Sequence, residues 1–203
     1  MHPEADKIID LYRRHALAWA NIRGSRLQEQ TWIEKFLALQ SEMPSILDVG
    51  CGSGDPIGRY LLEKRCKVTG VDTSPELIEI ARKQFSESEW LVSDMRTLRL
   101  GMKFDGLLAW HSTFHLTPDD QRRMFPIFRQ HAAKGAALMF TSGPSHGDTI
   151  GEFEGEALYH SSLDGDEYHE LLNQHGFTVV EHVIEDPDCG SSTIWLAKFH
   201  GEG

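Results

Sequence analysis

The sequence alternates between short, strand-like apolar segments and segments with helical periodicity from residue 44 onward. The strand-like segments are residues 45–49, 67–72, 89–92, 104–110, 136–141, 178–185 and 193–199. Strands that alternate with helices in this way form parallel sheets joined by crossover helices. Because a parallel sheet buries both of its faces, helices must cover both sides. The alternation therefore predicts a doubly wound α/β fold with a mostly parallel sheet.

Helices are predicted before the sheet and between its strands. Apolar and aromatic side chains recur at helical spacing from Ile8 to Trp19, within an N-terminal region of 43 residues. Ser74 and Thr117 each precede a proline, a combination typical of the start of a helix. In such folds ligands bind outside the carboxyl ends of the strands, where the strand order reverses. Residues that directly follow each strand are therefore the candidates for function.

Charge and cysteine content narrow the class of partner. The 203 residues carry 20 Lys and Arg against 31 Asp and Glu, a net charge of −11. This charge disfavours nucleic acid and anionic membranes, which would repel the chain. The three cysteines lack any paired spacing, as expected for reduced thiols in the cytoplasm. Apolar runs are too short to span a bilayer, so we predict a soluble, cytoplasmic protein without a membrane partner.

Three alternate glycines, Gly50, Gly52 and Gly54, follow the first strand and precede a helix. Glycines at such a turn allow backbone N–H groups to approach a ligand, and the helix N-terminus favours a negative group. A tight turn without any ligand uses similar glycines, so the pattern alone is weak. A dinucleotide fingerprint requires its third glycine at position 55, where this chain has Asp55. This difference disfavours an NAD-binding enzyme.

The segment from Ile46 to Gly54 resembles motif I of the class I S-adenosylmethionine-dependent methyltransferases. Other landmarks of that superfamily follow in order: Asp72 at the end of the second strand, Ser93-Asp94-Met95 after the third, and a fourth strand from Phe104 to Trp110. The resemblance extends over about residues 45–199 and is closest to small, stand-alone bacterial-type members. It implies a Rossmann-like, seven-stranded sheet with an antiparallel last strand and an N-terminal helical cap.

The resemblance also implies one domain over residues 1–203 with three parts. Residues 1–43 are expected to form the cap, 44–141 the cofactor-binding half, and 142–203 a substrate-side segment with the last helix and strand pair. Within the third part, residues 142–162 are rich in Gly and His, and we expect them to be irregular. A long loop of this kind often closes an active site.

S-adenosyl-L-methionine is the cofactor that the resemblance implies, with S-adenosyl-L-homocysteine as the product. Asp72 would accept hydrogen bonds from the ribose, Asp94 would bind the adenine amino group, and Asp48 would support the glycine loop. The implied cofactor-binding residues are Tyr12, Trp19, Arg23, Asp48, Gly50, Cys51, Gly52, Gly54, Asp72, Thr73, Asp94, Met95 and Trp110. Simpler roles remain open for several of them: Asp72 as a solvated strand-end carboxylate, Asp94 as a helix cap, and Tyr12 with Trp19 as a core stripe.

Two histidines after the fourth strand, His111 and His115, are the candidate catalytic bases, because imidazole titrates near neutral pH. The alternative is that they only pack against or orient their neighbours. The candidate substrate-binding residues are His111, His115, His146, Tyr159 and His160. The chain has no HExxH sequence and no paired Cys and His spacing, so we predict no metal site.

The predicted function is methyl transfer to a small-molecule acceptor. The chain lacks the Asp/Asn-Pro-Pro-aromatic element of amino-methylating DNA enzymes and the Pro-Cys nucleophile of C5-cytosine enzymes. Together with the acidic charge, this disfavours nucleic acid as the substrate. The alternatives are an adenosylmethionine-binding protein without catalysis and, less favoured, an NAD-linked oxidoreductase. The protein is expected to be a monomer or a homodimer.

Overall fold

The computed structural model describes residues 3–201. Met1, His2, Glu202 and Gly203 fall within the predicted boundaries but lie outside the described residues. The helices are α1 (Ile8–Arg14), α2 (Ala16–Arg23), α3 (Gln30–Ala38), α4 (Ile57–Glu63), α5 (Pro75–Gln84), α6 (Pro118–His131) and α7 (Gly165–Gln174). The strands are β1 (Ser45–Val49), β2 (Lys67–Asp72), β3 (Glu89–Val92), β4 (Phe104–Ala109), β5 (Ala132–Ser142), β6 (Gly147–Phe153), β7 (Glu156–Ser162), β8 (Phe177–Asp186) and β9 (Ser192–Phe199).

Seven strands form one sheet in the order β3-β2-β1-β4-β5-β9-β8. The neighbours from β3 to β5 pair in parallel, whereas β9 runs antiparallel to both β5 and β8. The predicted sheet, with its antiparallel last strand, is confirmed. Because the chain moves outward from β1 in one direction to β3 and in the other to β5, the strand order reverses between β1 and β4.

Buried apolar side chains cover both faces of this sheet. On one face, Phe125 of α6 and Leu172 of α7 belong to a core with Leu138 and Trp195. On the other, side chains of three helices pack against the strands: Ile33 of α3, Leu61 of α4 and Ile78 of α5. The predicted doubly wound arrangement is therefore confirmed, and it leaves the strand ends free to form a site.

The prediction that residues 142–162 are irregular is wrong, because most of them form an antiparallel hairpin. Strands β6 and β7 pair from Gly147 with Ser162 to Phe153 with Glu156, apart from the seven-stranded sheet. The two turn residues, Glu154 and Gly155, both have positive φ, at 52° and 77°, as a tight hairpin turn requires. Six of the seven β6 residues are exposed, so β6 lacks the apolar alternation that marks a half-buried strand.

No helix among residues 3–201 combines the length and the apolar character that crossing a membrane requires. The N-terminal helices α1 and α2 are short and meet at His15, whose backbone leaves helical geometry there. They pack against α5 and, through α1, against the hairpin strand β7. This packing places the N-terminal region beside the carboxyl ends of β1 and β2.

Candidate functional site

A cleft with an empty volume of about 950 Å³ lies at the carboxyl ends of the strands, where the strand order reverses. This volume includes space that is open to solvent. The glycine loop forms one wall through Gly50 and Gly52, and the N-terminal residues Ile8, Ile9 and Tyr12 form another. The position matches the one that the alternation of strands and helices predicts.

The first two loop glycines meet different requirements. Gly50 has φ of +79°, and a Cβ there would overlap the side chain of Ser112, lying 2.9 Å from its Oγ. Ser112 Oγ donates a hydrogen bond to the Val49 carbonyl at 2.7 Å, which holds this contact in place. Gly52 has φ of +56°, and the nearest atom to a Cβ there is Trp19 Nε1 at 3.4 Å. The backbone at Gly52 therefore borders open space in which a ligand can approach it.

The third loop glycine has a packing role. A Cβ on Gly54 would lie 2.9 Å from the buried ring of Trp90, and a Cβ on Gly58 of α4 would lie equally close. The expected place of Gly54 in a cofactor wall is therefore replaced by close packing of the loop and α4 on Trp90. Gly54 is not among the residues that line the cleft or the smaller pocket beside it.

Asp72 joins the glycine loop to the start of α5. Its Oδ2 accepts a hydrogen bond from the Gly52 N–H at 3.0 Å, and its Oδ1 accepts one from the Ser74 N–H at 2.9 Å. Burial raises the pKa of Asp72, and these backbone donors oppose the rise. The carboxylate lines the cleft and keeps lone pairs free on both oxygens, so it can accept two more hydrogen bonds from a diol.

Asp94 has two roles at the next strand end. It caps a short turn by accepting a hydrogen bond from the Arg96 N–H at 2.9 Å, and it accepts another from the Arg96 guanidinium at 2.6 Å. Burial raises the pKa of Asp94, but the hydrogen bonds from Arg96 outweigh it and lower the pKa overall. Asp94, Met95 and Thr73 all line the cleft. The structure thus shows the helix-cap role, at a position where the carboxylate also borders the cavity.

Asp48 is a buried carboxylate without a hydrogen bond to any of residues 3–201 that the structure describes. Its exposed fraction is 3%, and it lines a smaller pocket beside the cleft together with Arg23, Cys51 and Trp110. Burial, reinforced by the charge of Asp72 and opposed by that of Arg23, raises its pKa to about 7. Arg23 itself forms an ion pair with the buried Glu29. The pocket therefore combines the cation of Arg23 with two carboxylates, those of Asp48 and Asp55, and can take a ligand group that carries both charges.

We expect Asp48→Asn to raise the free energy of unfolding at pH 8 by on the order of 1–4 kcal/mol. The folded-state pKa of Asp48, about 7, lies above that of an unfolded aspartate. Folded protein then binds more protons between about pH 4 and 7, so this group lowers stability as the pH rises. Urea unfolding of the ligand-free protein at pH 5 and pH 8 measures the difference.

The gain in stability should shrink at pH 5, because Asp48 is protonated there in the folded protein. Asp119→Asn, at a side chain that is 81% exposed, is the matched control and should show no such dependence. A gain for Asp48→Asn that is equal at both pH values would contradict a charged, destabilising Asp48 at pH 8.

His115 has both ring nitrogens in hydrogen bonds. Its Nδ1 lies 2.8 Å from the Tyr159 carbonyl oxygen, which can only accept, so Nδ1 carries the proton. Its Nε2 lies 2.9 Å from the Tyr12 hydroxyl and, in this neutral tautomer, accepts the hydroxyl proton. Burial lowers the pKa of His115 to about 3. The imidazole is therefore neutral at pH 7 and already engaged as an acceptor.

His111 lies between the cleft and the smaller pocket and lines both. Its φ is +49°, an uncommon conformation for a residue other than glycine. The Thr141 Oγ1 accepts a hydrogen bond from the His111 backbone N–H at 2.9 Å, and Ser192 Oγ lies 3.0 Å from Nε2. Burial, with the charges of Arg23 and His160, lowers the pKa of His111 to about 4. The ring is thus neutral and borders the cavity, while β5 holds the backbone of His111 and β9 holds its Nε2.

Aromatic rings pack together along one side of the cleft. Tyr12 lies edge-to-face with Trp19 at 5.2 Å and stacks with Phe153 of the hairpin at 5.8 Å between ring centres. Phe114 lies 4.8 Å from His115 and 5.2 Å from His160. The predicted role of Tyr12 and Trp19 as a core stripe is only part of their environment, because both also line the cleft.

The hairpin and the N-terminal helices are linked by Glu156, the first residue of β7. Its carboxylate accepts a hydrogen bond from Arg14 at 2.6 Å and lies 2.7 Å from His15 Nε2. Together with Phe153 against Tyr12, this contact holds the two segments to each other. The N-terminal helices line the cleft, and the hairpin supports them from the side away from it.

The structure brings together most of the predicted residues, but not all of them. His146 is exposed just before β6 and does not line the cleft. Tyr159 is fully buried and contributes its carbonyl to His115, while its hydroxyl donates to Asp148 at 2.9 Å. His160 packs on Phe114 and His115, behind the cleft wall. These three side chains therefore do not form the substrate wall that we expected of them.

Several residues of the site have no signal in the sequence. Ser112, Glu29 and Phe153 take part through contacts between segments that are far apart along the chain. Other lining residues are aliphatic or paired side chains of ordinary appearance: Ile8, Ile9, Leu77, Arg96, Leu116 and Asp120. Among the described residues, no group of three His, Cys, Asp or Glu side chains is arranged to hold a metal ion.

Comparison with known proteins identifies the fold and the motif. Residues 46–135 match the sequence model of a family described as a methyltransferase domain. Over these residues the chain is similar to a methyltransferase domain. A sugar N,N-dimethyltransferase of Saccharopolyspora spinosa, acting on dTDP-4-amino-2,3,4,6-tetradeoxy-D-glucose, is 34% identical over 100 residues, which are 48% of this chain and 40% of that protein. The methyltransferase match extends from β1 to the start of β5, the part of the chain that contains the glycine loop and Asp72.

Solved methyltransferases share the architecture over nearly the whole chain. A Burkholderia thailandensis 1,6-didemethyltoxoflavin N1-methyltransferase has a TM-score of 0.77 at 18% identity, with 98% of this chain and 90% of that chain covered. A magnesium protoporphyrin IX methyltransferase of Synechocystis has a TM-score of 0.73 at 16% identity, with 98% of each chain covered. The chain spans 40%, 55% and 61% of the first three curated relatives that it matches. At these identities the likeness to solved methyltransferases concerns the fold.

Proposed function

We propose that this protein is an S-adenosylmethionine-dependent methyltransferase that acts on a small-molecule acceptor. One observation carries the proposal: Asp72 accepts hydrogen bonds from the Gly52 and Ser74 amides and still faces the cleft with free lone pairs. A carboxylate in this position suits a ribose diol, and the open backbone at Gly52 suits a ligand that lies against the loop. The bound donor supplies an electrophilic methyl group on a sulfonium.

The chain's own groups match the parts of such a donor. Asp94 and Met95 border the end of the cleft beyond Asp72 and would hold the adenine ring. Arg23 and Asp48, in the smaller pocket next to the glycine loop, would bind the methionyl carboxylate and ammonium. The same pocket wall includes Cys51, whose thiol is kept protonated because burial raises its pKa. The donor would then lie along the loop from one pocket to the other.

A small acceptor agrees with the covering of the cleft by residues of α1 and α2. Relatives and neighbours named above act on an amino sugar, a toxoflavin precursor and a porphyrin, by their names. The net charge of −11 gives no support to nucleic acid as a partner. For proton removal from the acceptor we assign His111 rather than His115, because both nitrogens of His115 are already engaged.

Calorimetric titration of the purified protein with S-adenosylmethionine, S-adenosylhomocysteine and NAD tests the proposal. We expect micromolar binding of the first two and none of NAD. A preference for NAD would favour the oxidoreductase alternative. Binding of the donor without transfer to any of a panel of amines, phenols, carboxylic acids and thiols would favour a non-catalytic binding protein. Absence of binding to both adenosyl compounds would refute the proposed function.

His111→Asn is expected to slow methyl transfer by about 10²–10⁴-fold if the imidazole accepts the acceptor's proton. Asparagine tolerates the left-handed backbone at this position better than alanine does, so the loop should keep its shape. Donor affinity should change by less than about twofold, because the substitution removes the proton acceptor and no contact with the cofactor. Radiolabelled methyl transfer to the acceptor found in the panel gives the rate, and calorimetry gives the affinity.

His146→Asn provides the matched control, because His146 is exposed outside the cleft, and its rate should be unchanged. If His111→Asn instead weakens donor binding at an unchanged maximal rate, His111 belongs to the cofactor wall and is not a base.

A further inference from the structure

A directed chain of hydrogen bonds ends at the cleft. The Tyr159 carbonyl accepts the Nδ1 proton of His115 at 2.8 Å. Nε2 of the neutral ring then has only a lone pair, so it accepts the proton of the Tyr12 hydroxyl at 2.9 Å. The carbonyl at the far end cannot donate, which fixes every proton in the chain. The Tyr12 oxygen can therefore only accept a further hydrogen bond or face a positive charge.

Protonation of His115 at Nε2 would turn that nitrogen into a donor and reverse its hydrogen bond with Tyr12. The surroundings of both residues oppose this protonation. Burial lowers the pKa of His115 to about 3, with smaller effects of His160 and His111 in the same direction. Burial and the charge of Asp72 raise the pKa of Tyr12. Both groups are thus neutral over the whole physiological range, and the Tyr12 oxygen keeps its partial negative charge.

Tyr12 lines the same cleft as Asp72 and Gly52, the residues proposed to hold two parts of the donor. Sulfur joins the ribose to the methionyl chain, so it must lie between the group at Asp72 and the group on the glycine loop. Asp72 and Gly52 are hydrogen-bonded to each other, and Trp19 Nε1 is 3.4 Å from the Cβ position of Gly52. The Tyr12 ring is 5.2 Å from the Trp19 ring, and Tyr12 also lines the cleft.

We propose that the Tyr12 oxygen, oriented by His115, favours the cationic methyl donor over its neutral product. The inference rests on the proposed function and adds to it a reason why the site would bind the donor more tightly than the product. Methyl transfer removes the positive charge from sulfur, so the attraction to the oxygen is lost when the product forms. Tyr12 would be a binding residue and His115 a positioning residue. The preference would weaken product retention without any movement of the wall.

The test compares affinities for S-adenosylmethionine and S-adenosylhomocysteine by calorimetry. Tyr12→Phe keeps the ring and its aromatic contacts but removes the oxygen. We expect the affinity for S-adenosylmethionine to fall by about tenfold, the scale of one hydrogen bond to a charged group. The affinity for S-adenosylhomocysteine should stay within about twofold, so the ratio between the two ligands collapses. Loss of aromatic packing alone would instead lower both affinities together.

Two substitutions at His115 separate positioning from packing. His115→Phe keeps a ring of similar size but frees the Tyr12 proton, and it should lower the affinity ratio by several-fold. His115→Gln can donate to the Tyr159 carbonyl and accept from Tyr12 with one amide, so it should restore most of the ratio. Tyr60→Phe is the matched control, because it also removes one tyrosine hydroxyl, which bonds Glu34, at a residue that does not line the cleft.

The possible results are distinguishable. An unchanged ratio in Tyr12→Phe, or an equal loss for both ligands, would overturn the discrimination by Tyr12. A ratio that collapses in Tyr12→Phe but is unchanged in His115→Phe, or that is lowered in His115→Phe and not restored in His115→Gln, would overturn the role of His115. Failure of the unaltered protein to bind either adenosyl compound would refute the proposed function itself.

Discussion

Replacing Asp72 by alanine should weaken the binding of S-adenosylmethionine and S-adenosylhomocysteine alike by about 10- to 100-fold. The expected loss corresponds to about 1.5–3 kcal/mol, the scale for hydrogen bonds to a charged group. Asp72 would lose its contacts with the ribose, which both ligands carry, and it would also release the Gly52 amide that it now holds at 3.0 Å. Calorimetric titration with both ligands measures the effect.

Glu79→Ala is the control for Asp72→Ala, because Glu79 lies on α5 with a side chain that is 65% exposed. It should leave both affinities unchanged. Circular dichroism establishes that Asp72→Ala is folded. If a folded Asp72→Ala protein binds both ligands as tightly as the unaltered protein, Asp72 is only a strand-end carboxylate and the ribose contact is wrong.

Replacing Gly50 by alanine should lower the free energy of unfolding by about 2–4 kcal/mol. Overlap of the new methyl group with Ser112 accounts for about 1–3 kcal/mol, and the positive φ of +79° adds about 1 kcal/mol. The measurement is urea unfolding without ligand. Adding Ser112→Gly should relieve the overlap and so regain part of the lost free energy of unfolding. It leaves the backbone strain in place and also removes the hydrogen bond to Val49. A double variant without any recovery would contradict the steric cause.

Gly52→Ala offers a comparison within the same loop. Its methyl group would meet only Trp19 at 3.4 Å, so its effect on stability should be limited to about 1 kcal/mol of backbone strain. Donor affinity should nevertheless fall, because the methyl group occupies the space in which the ligand would approach the backbone. The two substitutions thus distinguish the contribution of the loop to stability, tested at Gly50, from its contribution to donor binding, tested at Gly52.

The sequence was sufficient for the sheet and for the residues that end its strands. Asp72 and Asp94 could be placed because parallel strands bring their carboxyl ends to one edge, whatever the details of packing. The glycines at 50 and 52 were informative because positive φ and close approach restrict those positions to glycine. Such features depend on the local chain and on the repeating geometry of the fold.

The sequence was insufficient where function depends on contacts between distant segments. The proton positions on His115 follow from the Tyr159 carbonyl, 44 residues away along the chain, and no local pattern encodes them. The hairpin was missed because exposed β6 residues carry no apolar alternation. His146 was overvalued because its residue type suggested chemistry, although its side chain lies in solvent. Residue type alone does not distinguish a buried, oriented imidazole from a solvated one.

The hairpin joins the rest of the molecule through a narrow neck, where Gly143 and Ser162 nearly touch. A Cβ on Gly143 would lie 2.9 Å from that of Ser162, and Ser162 Oγ donates to the Gly143 carbonyl at 3.3 Å. Because the two ends of the hairpin meet, its length and sequence can change in evolution without shifting the strands of the large sheet. A longer or shorter hairpin could therefore replace this one while the half of the fold that carries the glycine loop and Asp72 stays unchanged.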